Sequence, residues 1–221
     1  MSAPTFLERL TPSERGDLEA HGRTRTLHRG AVLFHEGDEA HEVLVLLSGQ
    51  VKVARAAATG RDVILCVFDT GDVLGELSAV DGAPRSATAV ALSTVVALMV
   101  PLSEFNAFLE RRPRVANELL RTVVERLRGS SQRQLEFGTA DALTRLCRCL
   151  VDMADRYGAD EDGCRSVRLP LAQHELAALA GLSREAVVKG LQSLRALGWI
   201  RATGRSVSLV DEDSLRARAA I

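Results

Sequence analysis

The sequence lacks the features that mark membrane-spanning, disulfide-rich and disordered proteins. No apolar run in its 221 residues approaches the ~18 residues that cross a bilayer. The N-terminal segment contains Glu8 and no apolar core behind a basic start, so we expect no secretory signal. Four cysteines are too few for a disulfide scaffold, and we expect them to be reduced thiols in the cytoplasm. Hydrophobic residues form 46% of the chain, which excludes wholesale disorder and supplies a core.

A large net charge is also absent, since 28 basic residues oppose 29 acidic ones. The average conceals a basic segment between Arg165 and Arg205, in which seven basic residues face only two glutamates. Such a segment in a nearly neutral chain is typical of a local polyanion-binding face. An ordinary solvated surface explains the charge equally well, so charge alone leaves both interpretations open.

The first half of the sequence predicts β-structure. Short runs rich in Val, Leu and Ile between Leu27 and Val100 are separated by turn signals, and Gly49, Gly60 and Gly71 recur every 11 residues. Short strands at this spacing favour a sandwich or a barrel.

After Pro101 the pattern becomes helical. A short helix is expected over residues 102–110, and Pro113 suits the first position of a longer one. Apolar residues then recur in alternating steps of four and three, an a/d seam that runs toward Gly138 and favours a two-fold homodimer. Polar Ser130 and Gln134 indicate either a seam that weakens or a bound polar group. The apolar positions assigned to the dimer interface are Ala116, Leu120, Val123, Leu127 and Phe137.

The last third of the chain predicts a small helical domain. A helix is expected over residues 141–157, followed by an acidic loop over residues 158–163. Residues 171–197 have the pattern of a helix-turn-helix, with Gly181 at the turn and Ser183 as the cap of the second helix. A hairpin around Gly204 is expected to follow as a wing.

The outer face of the second helix carries side chains that suit the base edges of DNA. A charged solvent face on any two-helix hairpin is the alternative, but the turn pattern, the wing and the basic segment favour DNA binding. The residues expected to contact DNA are Gln173, Ser183, Arg184, Glu185, Lys189, Arg201 and Arg205.

A second group of candidate residues lies between Gly75 and Ala87. Arg85 can donate two hydrogen bonds to a phosphate, and the backbone N–H groups of Ser86 and Ala87 can add donors. Glu76 can accept a hydrogen bond from a sugar hydroxyl. By itself this pattern is more typical of a structural ion pair between the glutamate and the arginine.

The two groups of residues, in this order and joined by a seam helix, resemble the Crp–Fnr family of transcription regulators over nearly the whole chain. The resemblance is greatest to its cyclic-AMP receptor proteins. The family's phosphate-binding cassette, Gly-Glu-Leu followed by Arg-Ser-Ala, is matched here by Gly75, Glu76 and Leu77 and then by Arg85, Ser86 and Ala87.

Two further motifs match the family with small differences. The Thr-Ser pair that contacts adenine in the family corresponds to Ser130 and Ser131, which keep the hydroxyls. The recognition helix begins Ser183-Arg184-Glu185 as in the family, but Lys189 replaces the second guanine-contacting arginine. A lysine cannot form the two-pronged contact of an arginine, so the exact operator is left open.

The resemblance implies an α+β fold with an N-terminal cyclic-nucleotide-binding β-roll of jelly-roll type, a long dimerisation helix and a C-terminal winged helix-turn-helix. The implied boundaries are 1–112, 113–138 and 139–221. It implies a homodimeric regulator under allosteric control by cyclic AMP, with cyclic GMP as the alternative ligand. The implied partners are double-stranded DNA, with a palindromic operator of TGTGA-like half-sites, and RNA polymerase. The resemblance implies no contact with a membrane. A regulator of the same fold that needs no effector, or responds to another ligand, is the alternative.

Signatures of enzymes and of resident cofactors are missing. No nucleophile–base pair, metal motif or dinucleotide-binding glycine loop supports an enzyme. The iron–sulfur and haem branches of the family are not favoured, because no cysteine precedes Cys66 and no histidine lies between His41 and His174. We expect Cys66 and Cys147 in the core, Cys164 in an exposed loop, and no metal or cofactor.

Overall fold

The computed structural model describes residues 4–56, 62–161 and 163–220, and the side chain of Glu136 is left out of the description. The chain divides into two compact units, one up to Ser130 and one from Ser131 onward. The turn predicted at Gly60 lies outside the described residues.

The first unit combines short strands with helices and contains most of helix α4. A single 3₁₀ turn at Leu7–Arg9 precedes the first helix. The elements that follow are α1 Pro12–Ala20, β1 Arg23–Leu27, β2 Val32–Phe34, β3 Glu42–Ser48, β4 Val51–Ala56, β5 Asp62–Phe68, β6 Val73–Leu74, α2 Glu76–Asp81, β7 Thr88–Ala91, β8 Val95–Pro101, α3 Leu102–Arg111 and α4 Pro113–Thr139.

Two antiparallel sheets of four strands face each other in this unit. Their strand orders are β1-β8-β3-β6 and β2-β7-β4-β5. Leu44 and Leu46 of β3 belong to an apolar cluster with residues of the second sheet, whereas Val43 and Val45 belong to a second cluster with α1, α3 and α4. Strand β3 is therefore apolar on both faces, which explains its unbroken hydrophobic run. The predicted α+β architecture with an N-terminal β-domain and a long helix is confirmed.

Helix α4 divides its apolar side chains between two environments. Val115 and Leu119 are buried in the cluster of the first unit. Leu120, Val124 and Leu127 are 59%, 38% and 64% exposed. Val124 lies beside the predicted seam and is not one of its positions. The predicted seam is exposed at three positions and partly buried at two, which are in that order Leu120, Leu127 and Phe137, and Ala116 and Val123. This seam lies beside the row that packs on its own domain.

The second unit is a small helical domain with one antiparallel sheet. Its elements are α5 Ala142–Tyr157, β9 Ala159–Glu161, β10 Cys164–Arg168, α6 Gln173–Ala180, α7 Arg184–Ala196, β11 Ile200–Thr203, β12 Ser206–Leu209 and α8 Glu212–Ala219. The strand order is β11-β12-β10-β9. The predicted helix-turn-helix and its wing are confirmed, because α6, Gly181, α7 and the β11–β12 hairpin occupy the expected positions.

Three local predictions were wrong. The acidic segment after α5 is not a plain loop, because Glu161 pairs with Cys164 across a β9–β10 hairpin. Cys164 accordingly begins a strand and is partly buried. Cys66 lies in β5 as expected, but it is also only partly buried, because this strand does not bury both faces. Cys147 is buried, as predicted.

No helix among the described residues is long and apolar enough to cross a membrane.

Ion pairs connect the N-terminal segment with the first half of α4. Arg9 bonds Glu125 with an N–O distance of 2.7 Å, and Arg114 of α4 pairs with Glu14 of α1. Glu14 also closes a capping box with Thr11 at the start of α1. The hydrogen bond from Arg114 is the main reason that the pKa of Glu14 falls from 4.5 to about 2.

We predict that this pair contributes a pH-dependent part of the stability. The depressed pKa means that the contribution is present above pH 4.5 and is lost as the pH falls toward 2. Arg114→Met should lower the free energy of unfolding at neutral pH, and by progressively less in acid. Urea unfolding at several pH values measures the difference.

Arg15→Met is the matched control, because Arg15 pairs with Glu19 on the exposed side of the same helix. An exposed pair contributes at most about 1 kcal/mol. Equal losses for the two variants at neutral pH would contradict the prediction.

Candidate functional site

Gly75 shapes the segment that the sequence marked as a candidate anion site. It precedes α2 with a φ of 79°, a conformation that side-chain-bearing residues rarely adopt. A Cβ at this position would overlap the guanidinium of Arg85. Both the turn and the approach of the arginine therefore require glycine here.

Arg85 is buried, with 5% of its surface exposed. Its Nη1 donates to the carbonyl of Gly75 at 3.1 Å and its Nη2 to the carbonyl of Glu42 at 2.5 Å. The guanidinium carbon lies 4.4 Å from the centre of the Phe34 ring, and Nε is buried without a hydrogen-bond partner in the described part of the chain. Burial lowers the pKa of Arg85, although Glu42 and other acidic residues nearby oppose this effect.

Backbone hydrogen bonds fix the loop around Arg85. Its N–H donates to the carbonyl of Asp38 at 2.9 Å, and its carbonyl accepts from Gly37 at 2.8 Å. The next residue, Ser86, is exposed, and Ala87 is buried. Two of the predicted donors, Ser86 and Ala87, thus follow directly on the buried arginine, the first exposed and the second buried.

Glu76 is buried in the first turn of α2 and pairs with α4. Its Oε1 accepts a hydrogen bond from Nη1 of Arg126 at 2.8 Å. The same nitrogen donates to the carbonyl of Val73, and the guanidinium lies 4.3 Å from the centre of the Phe68 ring. Glu76 and Arg85 therefore bond other groups, and the ion pair between them that the sequence left open as an alternative is not formed.

Several residues at this site escaped the sequence analysis. Arg126 is preceded by Glu125 on a helix rich in charges, and nothing in the pattern separates it from ordinary surface arginines. Phe34 and Phe68 belong to strands, where aromatic side chains are usual core residues. Their contacts with the two arginines depend on packing between distant segments.

The remaining predicted cassette and helix residues are accessible. Leu77 in α2 is 44% exposed. Ser130 and Ser131 in α4 are exposed. Ser130 comes four residues after Arg126 and so lies on the same side of the helix as the arginine that bonds Glu76.

The helix-turn-helix is built by two local signals. Gly181 ends α6 with a φ of 62°, and the N–H of Leu182 donates back to the carbonyl of Ala177. Ser183 then begins α7, because its Oγ accepts a hydrogen bond from the N–H of Ala186 at 3.1 Å. Ser183 is therefore the N-terminal cap of α7, as predicted.

Helix α7 buries one face and presents another. Val187, Leu191 and Leu194 are buried in the core of the second unit. Gly190 allows the close approach of α5, since a Cβ there would lie 2.5 Å from Leu146 Cδ2. The predicted DNA-contacting residues Gln173, Arg184, Glu185, Lys189 and Arg201 are exposed, and Ser183 and Arg205 are partly buried.

Comparisons with known proteins match both halves of the chain. Residues 24–112 match the cyclic nucleotide-binding domain, and residues 144–218 match the Crp-like helix-turn-helix domain. A CRP-like cAMP-activated global transcriptional regulator of Mycobacterium tuberculosis is 34% identical over 191 residues, which cover 86% of this chain and 85% of the relative.

Two further proteins agree with this result. A cyclic AMP receptor protein of Thermus thermophilus is 29% identical over 204 residues, or 91% of this chain and 90% of the relative. The solved structure of FixK2 from Bradyrhizobium japonicum has the same fold, with a TM-score of 0.81 at 22% identity over 90% of this chain and 98% of that one.

The Mycobacterium tuberculosis relative is named as a transcriptional regulator, and the matched domains are those of transcription regulators and not of enzymes. The first domain is the kind that binds cyclic nucleotides, and the second is the kind that binds DNA. The chain belongs to the Crp–Fnr family of DNA-binding transcription regulators.

Proposed function

We propose that this chain is a homodimeric regulator whose affinity for a specific operator is controlled by cyclic AMP. The observation that carries the proposal is the buried guanidinium of Arg85, which bonds carbonyl groups and keeps a buried Nε without a partner in the described residues. A relative of this chain is named as cAMP-activated, which favours cyclic AMP over cyclic GMP.

An anionic ligand would compensate the buried charge of Arg85. A buried cation is unfavourable unless a negative group or several strong acceptors stand against it, and the described hydrogen bonds of Arg85 reach only neutral carbonyls. A cyclic phosphate carries one negative charge, and its oxygens suit the fork of an arginine. Exposed Ser86 adds a hydroxyl at the rim of the same site.

Glu76 would orient the sugar of the ligand. Arg126 bonds Oε1 of Glu76, so Oε2 is left to accept a hydrogen bond from a ribose hydroxyl. Ser130 lies one helical turn from Arg126 and would meet the base. Ser131 would come from the partner subunit, so the ligand site and the dimer depend on each other.

The exposed side of α4 supports the homodimer. The seam residues Leu120 and Leu127 are large, apolar and exposed, and exposed Val124 lies beside them on the same helix. Two copies packed through this seam would bury them and would present two recognition helices to the two halves of a palindromic operator.

The DNA-binding unit carries the operator specificity. Arg184, Glu185 and Lys189 would contact base edges in TGTGA-like half-sites, and Arg201 and Arg205 of the wing would contact phosphates. Binding at promoters implies RNA polymerase as a further partner and the compartment of the chromosome, the cytoplasm, as the location. The functional boundaries proposed are 1–112, 113–138 and 139–221.

A regulator without an effector is the second candidate. It is favoured by the fact that Arg85 and Glu76 already have hydrogen-bond partners inside the chain, on Glu42 and Arg126 among others. The two candidates differ in whether the protein binds cyclic nucleotides at all.

We predict that Arg85→Ala weakens cyclic-AMP binding by about 30-fold or more, because truncating one side of a buried charge pair costs roughly 2–5 kcal/mol. Calorimetry of the purified chain with cyclic AMP and with cyclic GMP measures the affinities. Arg23→Ala is the control, since this arginine is exposed. Unchanged affinity in Arg85→Ala would reject the phosphate role, and absence of binding by the unaltered chain would favour the second candidate.

We predict that Leu127→Glu converts the dimer into a monomer, because it places a charge in the apolar seam. Sedimentation at micromolar concentration gives the mass. Gln132→Glu adds the same charge to an exposed position on the other side of α4 and should remain dimeric. A monomeric unaltered chain, or a dimeric Leu127→Glu, would refute the proposed interface.

We predict that Arg184→Ala and Arg205→Ala fail differently on DNA. Arg184→Ala should cost ~1–3 kcal/mol at the operator and relax the base preference at one position of each half-site. Arg205→Ala should weaken operator and random DNA alike and flatten the salt dependence. Binding selections on randomised DNA and salt titrations compare the two. If Arg184→Ala leaves the selected motif unchanged, α7 does not determine the sequence preference.

A further inference from the structure

The last turn of α4 touches the turn of the helix-turn-helix through one aromatic side chain. The ring of Phe137 lies so close to Gly181 that a Cβ on this glycine would be 2.7 Å from Cε1 of the ring. Both residues belong to the second unit. The sequence assigned Phe137 only to the dimer seam, and its contact with the α6–α7 turn was not foreseen.

Arg145 of α5 contacts both of these groups. Its Nη1 donates a hydrogen bond to the carbonyl of Gly181 at 3.2 Å. Its guanidinium carbon lies 5.7 Å from the centre of the Phe137 ring, within the range of a cation–π interaction. The aromatic ring, the guanidinium and the turn carbonyl thus form one group of mutual contacts.

The α6–α7 turn tolerates little change at this place. Gly181 has a positive φ, which disfavours any side chain, and the ring of Phe137 fills the space that a Cβ would take. The Nε of Arg145 is buried without a hydrogen-bond partner among the described residues, a cost that the contacts of its other atoms must offset. The contacts with Gly181 and Phe137 therefore hold the side chain of Arg145 in this position despite the unpaired Nε.

The contact lies next to the residues proposed to bind DNA. Gly181 is followed by Ser183, which caps α7, and then by Arg184 in its first turn. Phe137 therefore contacts the turn that directly precedes the recognition helix. The same helix α4 carries Arg126, which bonds Glu76 in the proposed ligand site.

The start of α5, which lies between Phe137 and Arg145 in the chain, is held by contacts within its own domain. Asp141 caps α5 by accepting from the N–H of Thr144 at 2.8 Å, and its carboxylate also pairs with Arg218 of α8. The start of α5 is therefore fixed within its own domain. Phe137 precedes this fixed point in the chain, and Arg145 follows it by one helical turn.

We propose that Phe137 and Arg145 clamp the α6–α7 turn to the last turn of α4, and that this clamp couples the state of α4 to the position of the recognition helix. The coupling rests on the proposed control by cyclic AMP. Phe137 and Arg145 are positioning residues, since they act on DNA through Gly181 and α7.

The clamp is tested with Phe137→Ala, Arg145→Met and the double variant. The measurements are operator affinity with and without cyclic AMP, calorimetry of cyclic AMP, sedimentation, thermal unfolding and amide hydrogen exchange of the α6–α7 turn. Leu135→Ala is the matched control, because it truncates an exposed apolar side chain two residues from Phe137 on the same helix.

The clamp predicts that Phe137→Ala and Arg145→Met reduce the ratio of the two operator affinities about tenfold or more. Exchange of the Leu182 amide should rise in both variants. Arg145 lies outside the predicted seam, so the affinity for cyclic AMP, the dimer mass and the unfolding temperature of Arg145→Met should stay near those of the control. Phe137 also belongs to the predicted seam, so the ratio for Phe137→Ala is compared at concentrations where sedimentation shows a dimer. The double variant should lose no more than either single variant, because both remove the same contact. A purely structural role would change the unfolding temperature and leave the ratio intact.

The proposal is overturned if the clamp variants keep the affinity ratio and the exchange rate of Leu135→Ala. It is also overturned if the ratio falls only because the variants become monomers or cease to bind cyclic AMP. If the unaltered chain binds the operator but does not respond to cyclic AMP, the proposed control fails separately. The clamp is then judged by operator affinity and Leu182 exchange, and unchanged values reject it.

Discussion

Burial of the Arg85 guanidinium among neutral carbonyls is the constraint around which the first domain is arranged. Gly75 must be a glycine so that the arginine can approach its carbonyl. The segment before β3 supplies the carbonyl of Asp38 to the backbone of Arg85, and Phe34 of β2 covers the face of its guanidinium. Residues of the 34–42 segment and Gly75 thus converge on one cation, which is the basis of the anion site that we propose.

Helix α4 has to serve two environments at once. One row of its side chains packs on the β-domain through Val115 and Leu119, and Arg126 reaches the carboxylate of Glu76. Another row, which includes Leu120, is exposed. In the proposed dimer this helix would pack on its own domain with one side and on a second copy with another, so a change in one contact would affect the other. This arrangement suits a protein in which ligand binding and dimer geometry are linked.

The C-terminal domain illustrates which features are locally determined. Gly181 and Ser183 predicted a turn and a helix start, and the structure contains both, because a positive φ and an N-terminal cap involve only neighbouring residues. The β9–β10 hairpin was missed, since Ala159–Glu161 is short, polar and exposed. Only its pairing with Cys164–Arg168 makes it a strand, and such pairing is not encoded in the segment itself.

By itself the sequence determined the order of the elements, the β-to-helix transition after Pro101 and the helix-turn-helix, and it singled out Arg85 and Glu76 as candidate site residues. These follow from periodicity, from special glycines and from a cassette of neighbouring residues. The tertiary structure alone decided that Arg126 bonds Glu76, that Phe34 stacks on Arg85, and that Phe137 and Arg145 meet at Gly181. Each of these contacts joins residues far apart in the chain, so no local pattern could have specified it, and packing and burial select the partner.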